Sequence, residues 1–254
     1  MIRSLRFVFL MVLAGCYVNT YAQQSQFDEA NNLLEESNYR EAIQIYQSIA
    51  DEGYHSGALW LNMGYAYTRI DSLGMAKYYL LKAEKYPETK ILATEALEFV
   101  NNRFSRRSAV LPPLPWDRFF RALSDTPGVR GLVFISLFFL YAGAAFVIAS
   151  WFRYDLRKFF RNSGYITLGI AAVVFLFAVI VNYQDNRFGT GVMIDRQGPV
   201  FQYPREESAV ITTAYEGYMM QVDFRESRDY PEWKYIRLEN GMYGWIREEQ
   251  LRVF

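Results

Sequence analysis

The side chains able to do chemistry are few and scattered. There is one histidine, His55, and one cysteine, Cys16. Transition-metal sites take several imidazoles, thiolates or carboxylates at set spacings. A single His, with the Cys in the first apolar run, makes neither a metal site nor a Cys–His nucleophile pair. The adjacent acids Asp51–Glu52 and Glu206–Glu207 lie in no motif that would hold one carboxyl as acid and another as nucleophile, and read as solvated surface. The stretch GYAYTRIDSLG, residues 64–74, lacks the Lys and the glycine spacing of a phosphate loop. The expectation is a protein that is not an enzyme, with no catalytic residue, no cofactor and no metal. Lys plus Arg equals Asp plus Glu at 27 each, so net charge gives no reason to expect a nucleic-acid partner.

The elements that remain are scaffolding. The first residues, MIRSLRFVFLMVLAGCYVNTYAQQ, set Arg3 and Arg6 before an apolar core at Phe7–Gly15. That core is too short to cross a bilayer and has the layout of an export signal, residues 1–22. Two processing readings stand. Cleavage after Ala22 fits the small residues of TYA. Alternatively LAGC, residues 13–16, is lipobox-like and makes Cys16 the lipid-bearing first residue.

Residues 23–103 carry a self-similarity at an offset of 34: Ala30 with Gly64, Leu33 with Tyr67, Tyr39 with Leu73, Ala42 with Ala76, and Tyr46 with Leu80. The second copy holds Trp60, Met63, Gly64 and Tyr67, then Ala76, Leu80, Ala83 and Pro87. This pattern resembles the tetratricopeptide repeat (TPR), two helices per 34 residues, and implies an all-α TPR solenoid that binds proteins. Gly64 and Ala76 then let paired helices approach closely, and Pro87 ends the second. A following helix, residues 88–104, offers Ile91, Leu92, Ala96 and Phe99 as the apolar face that caps the stack. Trp60, Tyr67, Asn62 and Arg69 are the candidate binding face.

Two uncharged apolar runs follow, residues 131–152 and 164–183, each long enough to cross about 30 Å of hydrocarbon. Between them lies a basic loop, residues 153–163, with Arg153, Arg157, Lys158 and Arg161 against Asp155; such loops favour the cytoplasm. With the export signal, this predicts a two-pass inner-membrane protein whose globular parts both face the extracytoplasmic, periplasmic side. Small residues that could pack the spans are Gly143, Ala144 and Ala145, or Gly169 and Ala171. The linker 104–130 holds Pro112, Pro113 and Pro115. It is followed by Trp116, Phe119, Phe120 and Leu123 on one helical face beside Arg118 and Arg121. That helix either lies in the membrane interface or docks on the helical array.

Residues 191–254 read as short strands: GVMI, PVFQYP, YMMQVDFRES, WKYIRL and YGWIREEQLRVF. Asn240–Gly241 marks a hairpin turn. Gly217, Trp233, Gly241, Gly244 and Trp245 resemble the bacterial SH3-like (SH3b) signature, with Lys234 where an aromatic residue is usual. The resemblance implies a small all-β SH3b-like barrel. Trp233 and Trp245 are then core residues, and Phe201 and Tyr203, near Val200 and Pro204, are the candidate surface.

The order of signal, short TPR array, Pro-linked span, basic loop, second span and SH3b tail covers nearly the whole chain and resembles the BatE family of the Bacteroides aerotolerance operon. The resemblance implies a multidomain membrane scaffold, held with von Willebrand factor A-domain membrane proteins in an aerotolerance or envelope-stress complex. Two other roles stay open: a sensor subunit whose SH3b domain binds peptidoglycan, and a structural partner of a transporter or peptidase. Membrane lipids are partners in every case.

Overall fold

A computed structural model describes residues 24–106, 110–112 and 115–254. The export signal with Cys16, and Pro113 of the linker, lie outside the described residues. The chain divides into two compact units. One joins the N-terminal helices to residues 190–222 and 230–254; the other holds residues 110–189 and 223–229.

Among the described residues the first unit begins with five helices: α1 (residues 24–35), α2 (Tyr39–Asp51), α3 (Gly57–Arg69), α4 (Leu73–Glu84) and α5 (Lys90–Arg103). Ala42, Ile43, Tyr46 and Ile49 are buried in α2, and Ala76, Lys77, Leu80 and Ala83, each 34 residues on, are buried in α4. The turns match too. Ser37 (φ 66°) and Asp71 (φ 62°) both adopt the left-handed conformation. Asn38 N–H donates to Leu33 C=O and Ser72 N–H to Tyr67 C=O, the six-to-one bond that ends a helix through a left-handed residue. A Cβ on Gly64 would lie 2.6 Å from Leu80 Cγ, so α3 and α4 approach closely there.

Helix α5 packs by a face other than the expected one. Ala93, Leu97 and Val100 are buried, whereas Ile91, Leu92 and Phe99 are 74%, 56% and 58% exposed. The helix has two apolar stripes. The one that starts at a small residue, Ala93, lies closest to its neighbours, and the bulkier one is left outside.

The C-terminal part of this unit is one seven-stranded antiparallel sheet in the order β3-β2-β6-β5-β4-β1-β7. Its strands are β1 (Phe188–Met193), β2 (Gln197–Phe201), β3 (Val210–Tyr215), β4 (Met219–Asp223), β5 (Trp233–Leu238), β6 (Tyr243–Arg247) and β7 (Leu251–Val253). The expected barrel is not closed. β7 has only three residues and pairs with β1, and it does not meet β3 at the other edge. The predicted strands omitted β3 altogether.

Helix α4 is buried almost all round because it also meets the sheet. Gly74 N–H donates to Glu216 Oε1 (2.7 Å), and Lys77 Nζ to Gly217 C=O (2.7 Å). Gly217, at φ +79°, lies against the Phe104 ring. Arg106 donates to Tyr215 Oη (2.7 Å), and Tyr78 meets Phe254 edge-on at 5.9 Å. Burial pulls the Lys77 pKa down, with Glu239 opposing, and burial pushes Glu239 up, with Lys77 opposing.

The second unit is a helical hairpin with a short helix against it. Helices α7 (Gly128–Phe152) and α8 (Arg157–Arg187) are 25 and 31 residues long, about 38 and 46 Å at 1.5 Å per residue. Both are long and apolar enough to cross a membrane, which is consistent with a two-pass membrane protein. The polar ends of α8 are helical as well. The basic loop therefore contracts to a short turn at Tyr154–Leu156, and α8 runs into β1 without a linker. Of the small residues proposed for packing, Gly143 faces Leu168 and Ala171 is buried, while Gly169 meets nothing within 4 Å. Gly164 lies against Val147, and Ser136 Oγ donates to Ala171 C=O (3.1 Å). Helix α6 (Pro115–Asp125) docks on this hairpin. Phe119 and Phe120 meet Phe177, and Ser124 Oγ donates to Asp185 (2.8 Å).

The end of α8 is clamped by an ion pair. Arg187 donates from Nε and a terminal nitrogen to Asp223 Oδ2 (3.0 and 2.7 Å). Asp223 Oδ1 accepts from the Arg225 and Glu226 amides. Burial raises the Asp223 pKa, but the Arg187 hydrogen bonds and the two amides outweigh it, and the net shift is downward. A lowered carboxyl pKa adds stability above the unfolded value of about 3.9, and this is lost as pH falls through the folded value. Asp223→Asn should therefore flatten the acid limb of melting temperature against pH; an unchanged acid limb would mean that the clamp carries no such linkage.

Candidate interaction surfaces

The candidate binding face on the helices divides into buried and exposed members. Trp60 is only 3% exposed. It stacks on Tyr79 at 5.7 Å, with Lys82 Nζ 3.3 Å from its ring centroid. Tyr67 is half-buried and also stacks on Tyr79, at 5.3 Å. Asn62 points inward: its Nδ2 donates to Asn31 Oδ1 (2.8 Å), which also accepts from Tyr46 Oη (2.6 Å). Burial pushes the Tyr46 pKa up to about 12, with the Asn62 hydrogen bond opposing. Asn62 thus joins α1, α2 and α3 and is withdrawn as a docking residue. Asn62→Ala should cost about 1 kcal/mol of folding stability, read by denaturant melting, and leave partner capture unchanged.

Arg69 is exposed. It donates to Tyr65 Oη (2.6 Å), and Tyr65 meets Tyr39 edge-on at 6.5 Å. Among the described residues Arg69 has no acidic partner. On α5, Arg103 lies 5.9 Å from the Phe99 ring and pairs with Asp71 (2.9 Å). Phe99 and Arg103 stand 34 residues after Tyr65 and Arg69, so adjacent helices present two aromatic–arginine pairs. Phe99, read as part of a capping face, belongs to this surface.

The remaining signature residues on the helices are internal or at turns. Ala30, Ala42, Tyr46, Ala76 and Ala83 are buried. Tyr39 is half-buried, and Pro87 is exposed between α4 and α5. His55 is exposed and lies 5.2 Å from Trp60. Among the described residues no group of three or more His, Cys, Asp or Glu is placed to hold a metal ion.

On the sheet, Phe201, Trp233 and Trp245 form a cluster with Tyr235, separate from the main core around Met193, Val200 and Ile246. Phe201, expected at the surface, is 8% exposed. It pairs with Trp245 across β2 and β6 and meets Trp233 edge-on. Tyr203, two residues further and past the strand end, is 52% exposed. Tyr230 and Tyr243 are exposed at the margin of the same cluster. Arg247 covers Trp233 at 4.7 Å and pairs with Glu206 and Glu232. Gly244 is required where β6 passes β2: a Cβ there would lie 2.5 Å from Val200 Cγ1. Gly241, at φ +85°, turns the hairpin before it.

No family model matches this chain, and no curated protein does. The reading therefore rests on the geometry. It shows an exposed aromatic–arginine face on the helices, a margin of exposed tyrosines on the sheet, and a seam joining the two. The seam was missed in the sequence. Its one local signal is Lys77, a cation among the apolar positions of α4 that takes the place held by Ile43 in α2.

Proposed function

We propose that this chain is a membrane-anchored scaffold of the BatE type, which holds partner proteins on the extracytoplasmic side of the inner membrane and catalyses no reaction. The observation that carries this is the seam. Residues 24–106 pack into one unit with residues 190–222 and 230–254, although two helices long enough to cross a membrane lie between them in sequence. A chain that crosses twice returns to the side it left, so a packed unit of this kind fits a two-pass anchor with both parts on one face. The matching burial and turns at an offset of 34 support the TPR reading of α1–α4. The Trp233–Trp245 cluster and the Gly241 hairpin support the SH3b-like reading of the sheet. Docking is assigned to Tyr65, Arg69 and Phe99, and von Willebrand factor A-domain membrane proteins are the expected partners.

A second reading, peptidoglycan binding by the sheet, is favoured by exposed Tyr203, Tyr230 and Tyr243, since tyrosine rings offer apolar faces with a polar tip.

The test is cross-linked capture of the tagged full-length protein from its native membrane, with partners named by mass spectrometry. Arg69→Ala with Tyr65→Ala should leave the melting temperature unchanged and lose the partner proteins. Retention of the same partners by that variant refutes the assigned face. Capture of wall fragments alone transfers the function to the sheet.

A further inference from the structure

Among the described residues strand β3 pairs with β2 alone, and no strand lies on its other edge. Its sequence, VITTAY, has no charge, Pro or Gly. Edge strands are normally blunted with Lys, Pro or bulges, because free N–H and C=O groups recruit other strands. β3 has only a bulge, at Ile211, which the pairing of Val200 with Thr212 and Phe201 with Val210 skips, and its register is regular from Thr212 to Tyr215.

The ladder shows which groups face outward. Glu216 N–H donates to Arg196 C=O (3.2 Å). Antiparallel pairs alternate between bonded and non-bonded. The Gly198–Ala214 pair is then bonded and the Pro199–Thr213 pair is not. Pro199 fits there, since a proline costs the β2–β3 ladder nothing at a non-bonded position. The Thr213 N–H and C=O therefore point away from β2, and neither has a hydrogen-bond partner among the described residues. The Thr213 side chain is half-buried, on the face opposite buried Ala214.

We propose that β3 is a self-association edge, at which the β3 strands of two copies pair antiparallel about a twofold axis through Thr213. The outward-facing groups dictate this register. The two Thr213 residues exchange both N–H···O=C bonds, Thr212 lies opposite Ala214, and Tyr215 reaches the bulge at Ile211, where the regular ladder ends. No like charges meet, and β-branched and aromatic side chains are the favoured cross-strand neighbours. A second copy is the occupant for two reasons. The uncharged edge is self-complementary in this register. Copies anchored in one bilayer also present their edges on the same side at high effective concentration; this second reason rests on the membrane reading above, and the first does not.

The experiment uses the full-length chain carrying two different tags, co-expressed and extracted in mild detergent, with dimer read by co-capture and by mass photometry. Wild type should dimerise. Thr213→Lys alone and Thr213→Glu alone should each reduce the dimer on the order of fivefold without changing the melting temperature. Co-expression of the Lys and Glu variants should restore it. Thr213→Pro, which removes the outward N–H, should abolish it. A wild-type monomer overturns the proposal and leaves the edge to a strand of another protein. A dimer indifferent to both charged variants overturns it as well. Carbonate extraction of the same membranes tests the anchor separately.

Discussion

Gly217→Ala is expected to be the most damaging single-methyl change in the chain. At φ +79°, an L-residue with a Cβ pays about 1–2 kcal/mol for the left-handed conformation. The added carbon would also lie 2.2–2.5 Å from three atoms of the Phe104 ring, and overpacking of this kind costs about 1–3 kcal/mol. The total is about 2–5 kcal/mol, read from denaturant melts of the full-length protein in detergent. The two parts can be separated. Phe104→Ala removes the clash and leaves the backbone cost, so Gly217→Ala should cost only about 1–2 kcal/mol in that background. Because Lys77 donates to the Gly217 carbonyl, tryptophans on both sides of the seam, Trp60 and Trp245, should report one transition. Two separate transitions, or a loss below about 0.5 kcal/mol, would show that helices and sheet are independent modules, as this is the size of an ordinary surface substitution.

The second large effect is expected in the hairpin. A Cβ on Gly143 would lie 2.8 Å from Leu168 Cγ and 3.1 Å from Leu168 N. Gly143→Leu must push α7 from α8, at a cost of about 1–3 kcal/mol. Gly169→Leu is the control, since nothing lies within 4 Å of that site, and it should be nearly silent. Cysteine pairs placed across α7 and α8 would read the separation as lost cross-linking. Equal behaviour of the two variants would argue against a helix contact set by small residues.

The difference between those glycines also marks what was legible in the sequence. Uninterrupted apolar length identifies α7 and α8, because it needs only local composition. It does not say which small residue faces the partner helix, and Gly143 and Gly169 look alike. Residues 34 apart are legible as a series of types, but α5 carries two apolar stripes, and only packing decides that Ala93, Leu97 and Val100 go inward. Asn62 reads as a surface polar residue until Asn31 and Tyr46 are brought to it. Phe201 and Tyr203 are two residues apart in a strand-like run, yet the strand ends between them, so one is core and the other surface. β3 is not evident in the sequence although VITTAY is rich in β-formers, because its apolar and polar residues do not alternate and no tryptophan motif borders it. The seam lay furthest from reach: its partners have no periodic relation, and Glu216 and Gly217 are matched to Gly74 and Lys77 only by the fold.

That seam sets a timetable. Gly74 and Glu216 are 142 residues apart, and both long apolar helices are made in the interval. At ribosomal rates of roughly 5–20 residues per second, the N-terminal helices wait on the order of ten seconds for the strands that cover Lys77 and Phe104. Throughout that time α4 offers a solvent-exposed flank that the finished protein hides. A chain cut short anywhere before β4 keeps it exposed indefinitely, so unfinished copies carry their own mark for capture by holding factors or proteases.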